Sequence, residues 1–223
     1  MIERIEESTP HLEEYGTDYR YHDEVIELFA QKGWKQKARE ITLAGLEDYM
    51  SLGLKPGDRV LDVGSGLGVR GNYLRYGGVK TFGVDFDIQA IGKGRNSFGK
   101  HSRNVPIVAD TTLNLPFRDE AFDFVRSSEF FEHLPYPKAA IEVFKEMQRV
   151  SRNNRMLHLI TVIEDGEHMD ADPTHHIKWT ASGWREFFKD QGWETIRPTD
   201  RRLIGKHGIY TYKHGFFLLE KSK

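Results

Sequence analysis

Apolar and polar positions along this chain change period repeatedly, and the changes mark out alternating strands and helices. Residues 1–33 are polar and spotted with aromatics, with Val25, Ile26, Leu28 and Phe29 as an apolar patch. Leu43, Leu46 and Met50 recur at helical spacing, which predicts a helix from about Gln36 to Leu52 with Gly53 able to cap its end. Pro56-Gly57-Asp58 reads as a turn. Short apolar runs then predict strands at Val60–Val63, Thr81–Val84, Pro106–Ala109, Phe122–Arg126 and Met156–Ile163. Helices are predicted between them at Gly68–Arg75, Ile88 to about Ser97, and Lys138–Val150, where Ala140, Phe144 and Met147 share a face. A further helix is predicted at Trp179–Asp190, followed by strands at Trp193–Arg197 and Gly215–Leu219.

Strands alternating with helices through short connections imply a mostly parallel sheet covered by helices on both faces. Two late strands after the last helix imply an antiparallel C-terminal edge hairpin. The expectation is therefore an α/β, Rossmann-like, seven-stranded fold. Ligands of such sheets bind outside the carboxyl ends of the strands, so the residues there carry the chemistry.

Those ends are unusual. Val60-Leu61-Asp62-Val63-Gly64-Ser65-Gly66-Leu67-Gly68 runs an apolar strand through an acid into three alternate glycines. Glycine allows positive φ and lets a ligand approach the backbone. A carboxylate beside such a turn gains nothing from a phosphate, but it would attract an ammonium or sulfonium ligand, which points to S-adenosylmethionine (SAM). Asp85, 23 positions after Asp62, ends the second strand, where its two oxygens could accept both hydroxyls of a ribose. Asp110 ends the third strand, placed to accept an adenine amino group. Ser127 and Ser128 end the fourth, before Glu129-Phe130-Phe131-Glu132-His133-Leu134-Pro135. Any one of these acids could be a cap or loop residue; three at three successive strand ends form a set. Gly66-Leu67-Gly68-Val69-Arg70-Gly71 also spells the dinucleotide fingerprint, but Asp62 just ahead of it would repel a pyrophosphate.

Over about residues 57–163 the chain resembles a class I SAM-dependent methyltransferase, of the broad small-molecule group described as methyltransferase-domain 11 or 25-like. Val60–Gly68, Gly83-Val84-Asp85, Ala109-Asp110 with Leu115-Pro116-Phe117, and Phe122-Asp123-Phe124-Val125 with Glu132-His133-Leu134 resemble its successive motifs. Ile141–Val150 resembles the helix that follows. The resemblance implies that Asp62 faces the methionine ammonium and that the Gly64, Gly66 and Gly68 backbone lines the methionine half. Asp85 would hold the ribose, with Phe86 packed on adenine. Asp110 and Thr111 would serve the adenine amino group, and Ser127 would sit near the methionine end. Two departures stand out. Ser151-Arg152-Asn153-Asn154-Arg155 replaces a glycine-rich turn, which asparagine can sustain in the left-handed region. Phe130-Phe131 is bulky where relatives place smaller residues, on the substrate side.

The acceptor side is read from Glu164–Thr180, which holds His168, His175 and His176. Three readings stay open there. The loop could be structural, with Thr180 capping a helix. It could bind the acceptor, with His175 or His176 as base. It could hold a metal through His168, Asp170, Asp172 and His175, although that spacing matches no known metal motif, and the expectation is no metal. His133 is either a structural hydrogen-bond partner or a substrate contact. Tyr15–Tyr21 could form a lid, which gives an N-terminal helical cap at 1–55 and a methyltransferase domain at 56–223.

Composition adds limits. The chain has 223 residues, 38% hydrophobic and 30% charged, with no cysteine and a formal net charge of −2. That size supports a sizeable core in one domain, and the charge balance does not suggest a nucleic-acid partner. No apolar run approaches the roughly 20 residues of a membrane helix, so a cytoplasmic location without a membrane partner is expected. The ends carry opposite charge: residues 1–24 hold eight acids and two bases, residues 197–223 seven Lys/Arg and two acids. They could be solvated faces, or could meet within a subunit or between the subunits of a homodimer. The expected activity is methyl transfer from SAM to oxygen or nitrogen of a small-molecule acceptor, such as a sugar or secondary metabolite. A silent SAM-binding or partner-binding protein is the alternative.

Overall fold

The structure is a computed structural model. It describes residues 53–66, 68, 71, 74–75, 78–89, 91–92, 107–109, 114–163, 174–199, 204–207 and 210–222. The expected helix at Gln36–Leu52 and the N-terminal cap and lid lie outside the described residues.

Among the described residues eight strands form one sheet: β1 (Arg59–Val63), β2 (Lys80–Asp85), β3 (Ile107–Ala109), β4 (Phe124–Ser128), β5 (Arg155–Val162), β6 (Trp193–Thr199), β7 (Ile204–His207) and β8 (Tyr210–Lys221). Their order is β3-β2-β1-β4-β5-β8-β6, with β7 paired to β8. The pairings from β3 through β5 are parallel. β8 is antiparallel to both β5 and β6. Among the described residues the count is eight rather than the expected seven, because the twelve-residue β8 outruns β6 and its first residues pair with β7. The two late strands expected at the edge, β6 and β8, are paired antiparallel there, with β8 inserted between β5 and the outermost β6.

The chain order reverses at β1: β2 and β3 extend to one side of it, β4 and β5 to the other. The carboxyl ends of β1 and β4 therefore flank the crevice where such sheets take ligands.

Side chains alternate across the sheet, as period two requires. Leu61, Val63, Val125, Met156, Ile160, Phe217 and Leu219 face one way, into a core shared with helices α1 (Pro137–Val150) and α2 (Ala181–Asp190). Val60, Phe124, Leu157 and Leu218 face the other way, with Leu54, Leu74 and Val79. α1 buries Ala139, Ala140, Val143, Phe144, Met147 and Val150, the face its sequence period predicted, and starts with proline in its first turn. Each such large apolar side chain contributes about 1.5–3 kcal/mol on burial. α2 begins where Thr180 Oγ1 accepts the Gly183 N–H at 3.1 Å, so Thr180 is an N-cap. Trp184, Phe187 and Phe188 are its buried face. In the predicted Asn-containing turn, Asn154 has φ 51°, as the substitution for glycine required.

Loop 114–120 is tied to α1 by two side chains, Arg149 and Glu146. Arg149 donates to the carbonyls of Leu115 and Phe117, to Asp119 and to both oxygens of Glu146. Glu146 also accepts the Leu115 N–H at 2.9 Å, and its pKa is lowered chiefly by its hydrogen bond from Arg149. Leu115-Pro116-Phe117 is held beside the sheet in this way.

Candidate cofactor and acceptor site

The carboxyl ends of β1, β2 and β4 converge at the glycine turn. Gly64, Gly66 and Gly68 have φ of 70°, 50° and 74°, the left-handed region that excludes most side chains. The Gly64 and Ser65 N–H groups both donate to the Val84 carbonyl, at 3.0 and 3.1 Å. Asp85 completes the turn. Its Oδ2 accepts the Gly66 N–H at 2.7 Å and its Oδ1 the Asp87 N–H at 2.8 Å. The residue predicted to grip a ribose therefore also fixes the loop in front of it. Each carboxylate oxygen carries two lone pairs, so these bonds orient the group without exhausting its acceptor capacity. Phe86 follows at the rim, 47% exposed, with Ile88 at 70%. Two exposed apolar side chains beside an oriented carboxylate fit a nucleoside, with its flat base and vicinal hydroxyls. Asp110 and Thr111 lie outside the described residues.

Gly64 does not behave as expected. A Cβ built there would stand 2.4 Å from the Phe130 ring, so its open face is taken by a side chain rather than left bare. The cause is local. Glu129 has φ 51°, a turn few non-glycine residues make, and it sends the chain from the end of β4 back over β1. Phe130 and Phe131 are both buried, with rings 5.5 Å apart edge to face. Of the bulky pair noted in the sequence, Phe130 thus covers Gly64, while Phe131 packs into the core against Phe144 and Trp184.

Asp62 is 2% exposed and accepts from Arg126 Nη1 at 2.7 Å; Arg126 is also 2% exposed. The two are register partners on β1 and β4. Sequence reasoning assigned Asp62 to a ligand's ammonium and passed over Arg126. The signal was present, because a lone arginine inside a buried strand, Phe124-Val125-Arg126-Ser127-Ser128, requires a counter-ion from a neighbour.

Ser127 points to the opposite face. Its Oγ lies 2.8 Å from Nδ1 of His158, its register partner on β5. His158 is fully buried, stacked on Phe188 with centroids 5.3 Å apart and edged by Phe131 at 5.1 Å. Burial, and secondarily the Arg126 charge, push its pKa down to about 3. It is therefore neutral at physiological pH. His158 was likewise missed, although a histidine in the run Met156-Leu157-His158-Leu159-Ile160 marks a buried polar group needing a partner.

On the acceptor side the structure brings together two of the four histidines named from the sequence, His133 and His175. A 3-10 turn, Phe131–His133, follows β4. The buried Glu132 presents its carbonyl to the N–H groups of His176 and Ile177, at 2.8 and 3.0 Å. This strap brings His175 to His133, with ring centroids 4.5 Å apart at 77°. His133 Nδ1 lies 3.2 Å from the Thr174 carbonyl and 3.1 Å from its hydroxyl. His175 is buried, whereas His133 and His176 are exposed. The Ile163 N–H donates to the Trp179 carbonyl and ties the two ends of the loop together. His168, Asp170 and Asp172 lie outside the described residues, and no three potential metal ligands are gathered among the described ones. No helix among them is long and apolar enough to cross a membrane.

Residues 60–154 match the family of the methyltransferase domain. That stretch, somewhat under half of the chain, is similar to a methyltransferase domain. Over 137 residues it is 31% identical to a demethylmenaquinone methyltransferase of Corynebacterium urealyticum, covering 61% of this chain and 51% of that protein. The chain spans about half the length of the curated relatives it matches. Among solved structures it is similar to the magnesium protoporphyrin IX methyltransferase of Synechocystis with bound SAM. The TM-score is 0.65 at 14% identity, covering 94% of each chain. It is also similar to a SAM-dependent methyltransferase of Methanosarcina mazei, with TM-score 0.63 at 18% identity, covering 76% of this chain and 94% of that one. These similarities concern the fold, in which the glycine turn, Asp85 and Phe86 share one sheet edge.

Proposed function

We propose that this protein is an enzyme that transfers a methyl group from SAM to a small-molecule acceptor, at oxygen or nitrogen. The observation that carries the reading is Asp85. One carboxylate both holds the turn through Gly66 and stands at the strand end beside the exposed Phe86. That arrangement suits a nucleoside whose ribose is gripped and whose base lies on an apolar rim. The Corynebacterium urealyticum relative acts, by name, on demethylmenaquinone, which supports an acceptor of small-molecule size.

In this reading Asp85 orients the ribose, Phe86 covers the adenine, and the Gly64–Gly68 turn borders the methionine half. Asp110 and Thr111 serve the adenine amino group, and Ser127 stands near the methionine end. The cofactor, when bound, supplies a methyl group on a sulfonium, which leaves without its own proton chemistry. The protein's contribution is then chiefly positioning, which can be worth several kcal/mol. An acceptor hydroxyl or ammonium must also lose a proton. We assign that proton to the His133–His175 pair, an assignment supported by their rings lying 4.5 Å apart beyond the end of β4. His176 borders the same rim as an alternative base.

The test couples calorimetry of adenosylhomocysteine with a screen for transfer of labelled methyl from SAM into small molecules of a cell extract. Saturable binding with a labelled small product is expected. Binding of NADH in place of adenosylhomocysteine would overturn the reading, and binding without any transfer would leave a silent SAM-binding protein.

A further inference from the structure

The short turn that carries His133 has little stability of its own. A 3-10 turn has poor hydrogen-bond geometry, and fixing a single turn is unfavourable. Phe130, its N-cap, makes no side-chain cap hydrogen bond. The place of the turn is therefore set by its anchors. Phe131 is fully buried, with its ring 5.1 Å from His158 and 5.9 Å from Trp184. The Glu132 carbonyl takes the N–H groups of His176 and Ile177. Those two anchors tie the turn to the core and to residues 174–177. Phe130 adds a third direction. Its ring fills the bare face of Gly64, where a Cβ would collide with it. Its carbonyl accepts the His133 N–H at 3.1 Å. One residue thus touches both the glycine turn and the backbone of the acceptor-side histidine. The chain reaches it through Glu129 at φ 51°, a conformation that a non-glycine residue keeps only where its surroundings hold it.

We propose that Phe130 is a positioning residue that sets where His133 stands relative to the glycine turn. The cofactor turn follows β1 and the histidine follows β4, so their spacing is not fixed by one element. A ring wedged between them fixes it, because a packed interior yields little and passes on a displacement. Glycine at position 64 is then required twice, for its left-handed φ of 70° and as the seat of the ring. Transfer of a methyl group needs the acceptor and its base held against the reacting carbon in a narrow range of geometry. A smaller side chain at 130 leaves a gap over Gly64, into which the turn can settle. This proposal rests on the assignment of His133 as base and adds how that residue is held in place.

The test is histidine side-chain NMR on the whole isotope-labelled chain, with the His133 signals identified by their loss in His133→Gln. Phe130→Leu should move the His133 ring signals and leave those of His158, which Phe131 contacts, in place. Its adenosylhomocysteine affinity, read by calorimetry, should be retained. Transfer of labelled methyl from SAM into small molecules of a cell extract should fall about 10–100-fold, the scale of a misplacement of about 1 Å. Gly64→Ala, which pushes on the ring from the other strand, should move the same His133 signals. Gly64→Ala with Phe130→Ala should move them no further than Phe130→Ala alone, since the ring that carries the push is gone. Unmoved His133 signals in Phe130→Leu, equal movement of all the histidines, or additive shifts in the double variant would overturn the proposal. Should Gly64→Ala not fold, Phe130→Leu and Phe130→Ala decide. Moved His133 signals with methyl transfer retained would support the positioning role and remove the base assignment instead.

Discussion

His158 should make the protein acid-sensitive by an amount that can be worked out. Its pKa falls from 6.5 to about 3 in the folded chain, first through burial and then through the Arg126 charge. Above pH 6.5 the residue is neutral folded and unfolded and contributes no pH dependence. Below 6.5 the unfolded chain binds a proton there and the folded chain does not, so stability falls as pH falls. The loss continues until about pH 3, where the folded form also protonates. At about 1.4 kcal/mol per pH unit, roughly 2 kcal/mol is gone by pH 5. For a chain of this size that is a melting-temperature shift of about 4–8 °C. The measurement is thermal unfolding of wild type and His158→Leu at pH 7.5 and pH 5. Leucine removes the titration but also strands Ser127, so the variant is expected to be less stable at pH 7.5. The quantity to compare is therefore each protein's change between the two pH values, since acid effects at other residues are common to both. Wild type should lose about 2 kcal/mol more than the variant. Parallel losses would show that His158 is not held neutral by its surroundings, and would refute the link from burial among Phe131, Phe144 and Phe188 to a suppressed charge.

Gly64→Ala should destabilise by about 2–5 kcal/mol, from its left-handed φ and from the Phe130 ring 2.4 Å from the new Cβ. Pairing it with Phe130→Ala should relieve the collision but not the backbone strain, and a chemical-denaturation series separates the two. Arg149→Ala should cost about 1–3 kcal/mol through its partly exposed hydrogen bonds to Leu115, Phe117, Asp119 and Glu146, with faster hydrogen exchange confined to 114–120. His175→Ala and His133→Ala should reduce methyl transfer at least 10-fold while leaving adenosylhomocysteine affinity unchanged. Full activity in both would return the pair to a structural role.

Local pattern carried most of the strands and the described helices α1 and α2, because period and capping are read within a few residues. Thr180 was readable as a helix cap, and Asn154 as a left-handed turn residue, for that reason. The start of β4 was placed two residues early, at Phe122, because its apolar run begins before the ladder does. Phe122 makes only an isolated bridge with Ser151. β7 was missed because Ile204-Gly205-Lys206-His207 has no alternation to read, and only the overrun of β8 gives it a partner.

The site divides along the same line. The positions of Asp62, the alternate glycines and Asp85 were legible because strand ends in an α/β sheet are predictable. By itself, then, the sequence determined the sheet class and which residues end its parallel strands. What surrounds each group was decided by pairing between strands 31 and 64 residues apart in sequence, which no local pattern records. That pairing gave Asp62 a guanidinium, Ser127 a neutral histidine and Gly64 a phenylalanine over its open face. It also brought His133 beside His175 through a backbone strap at Glu132. The physical reason is that register converts distant positions into neighbours, and neighbours set charge, burial and access.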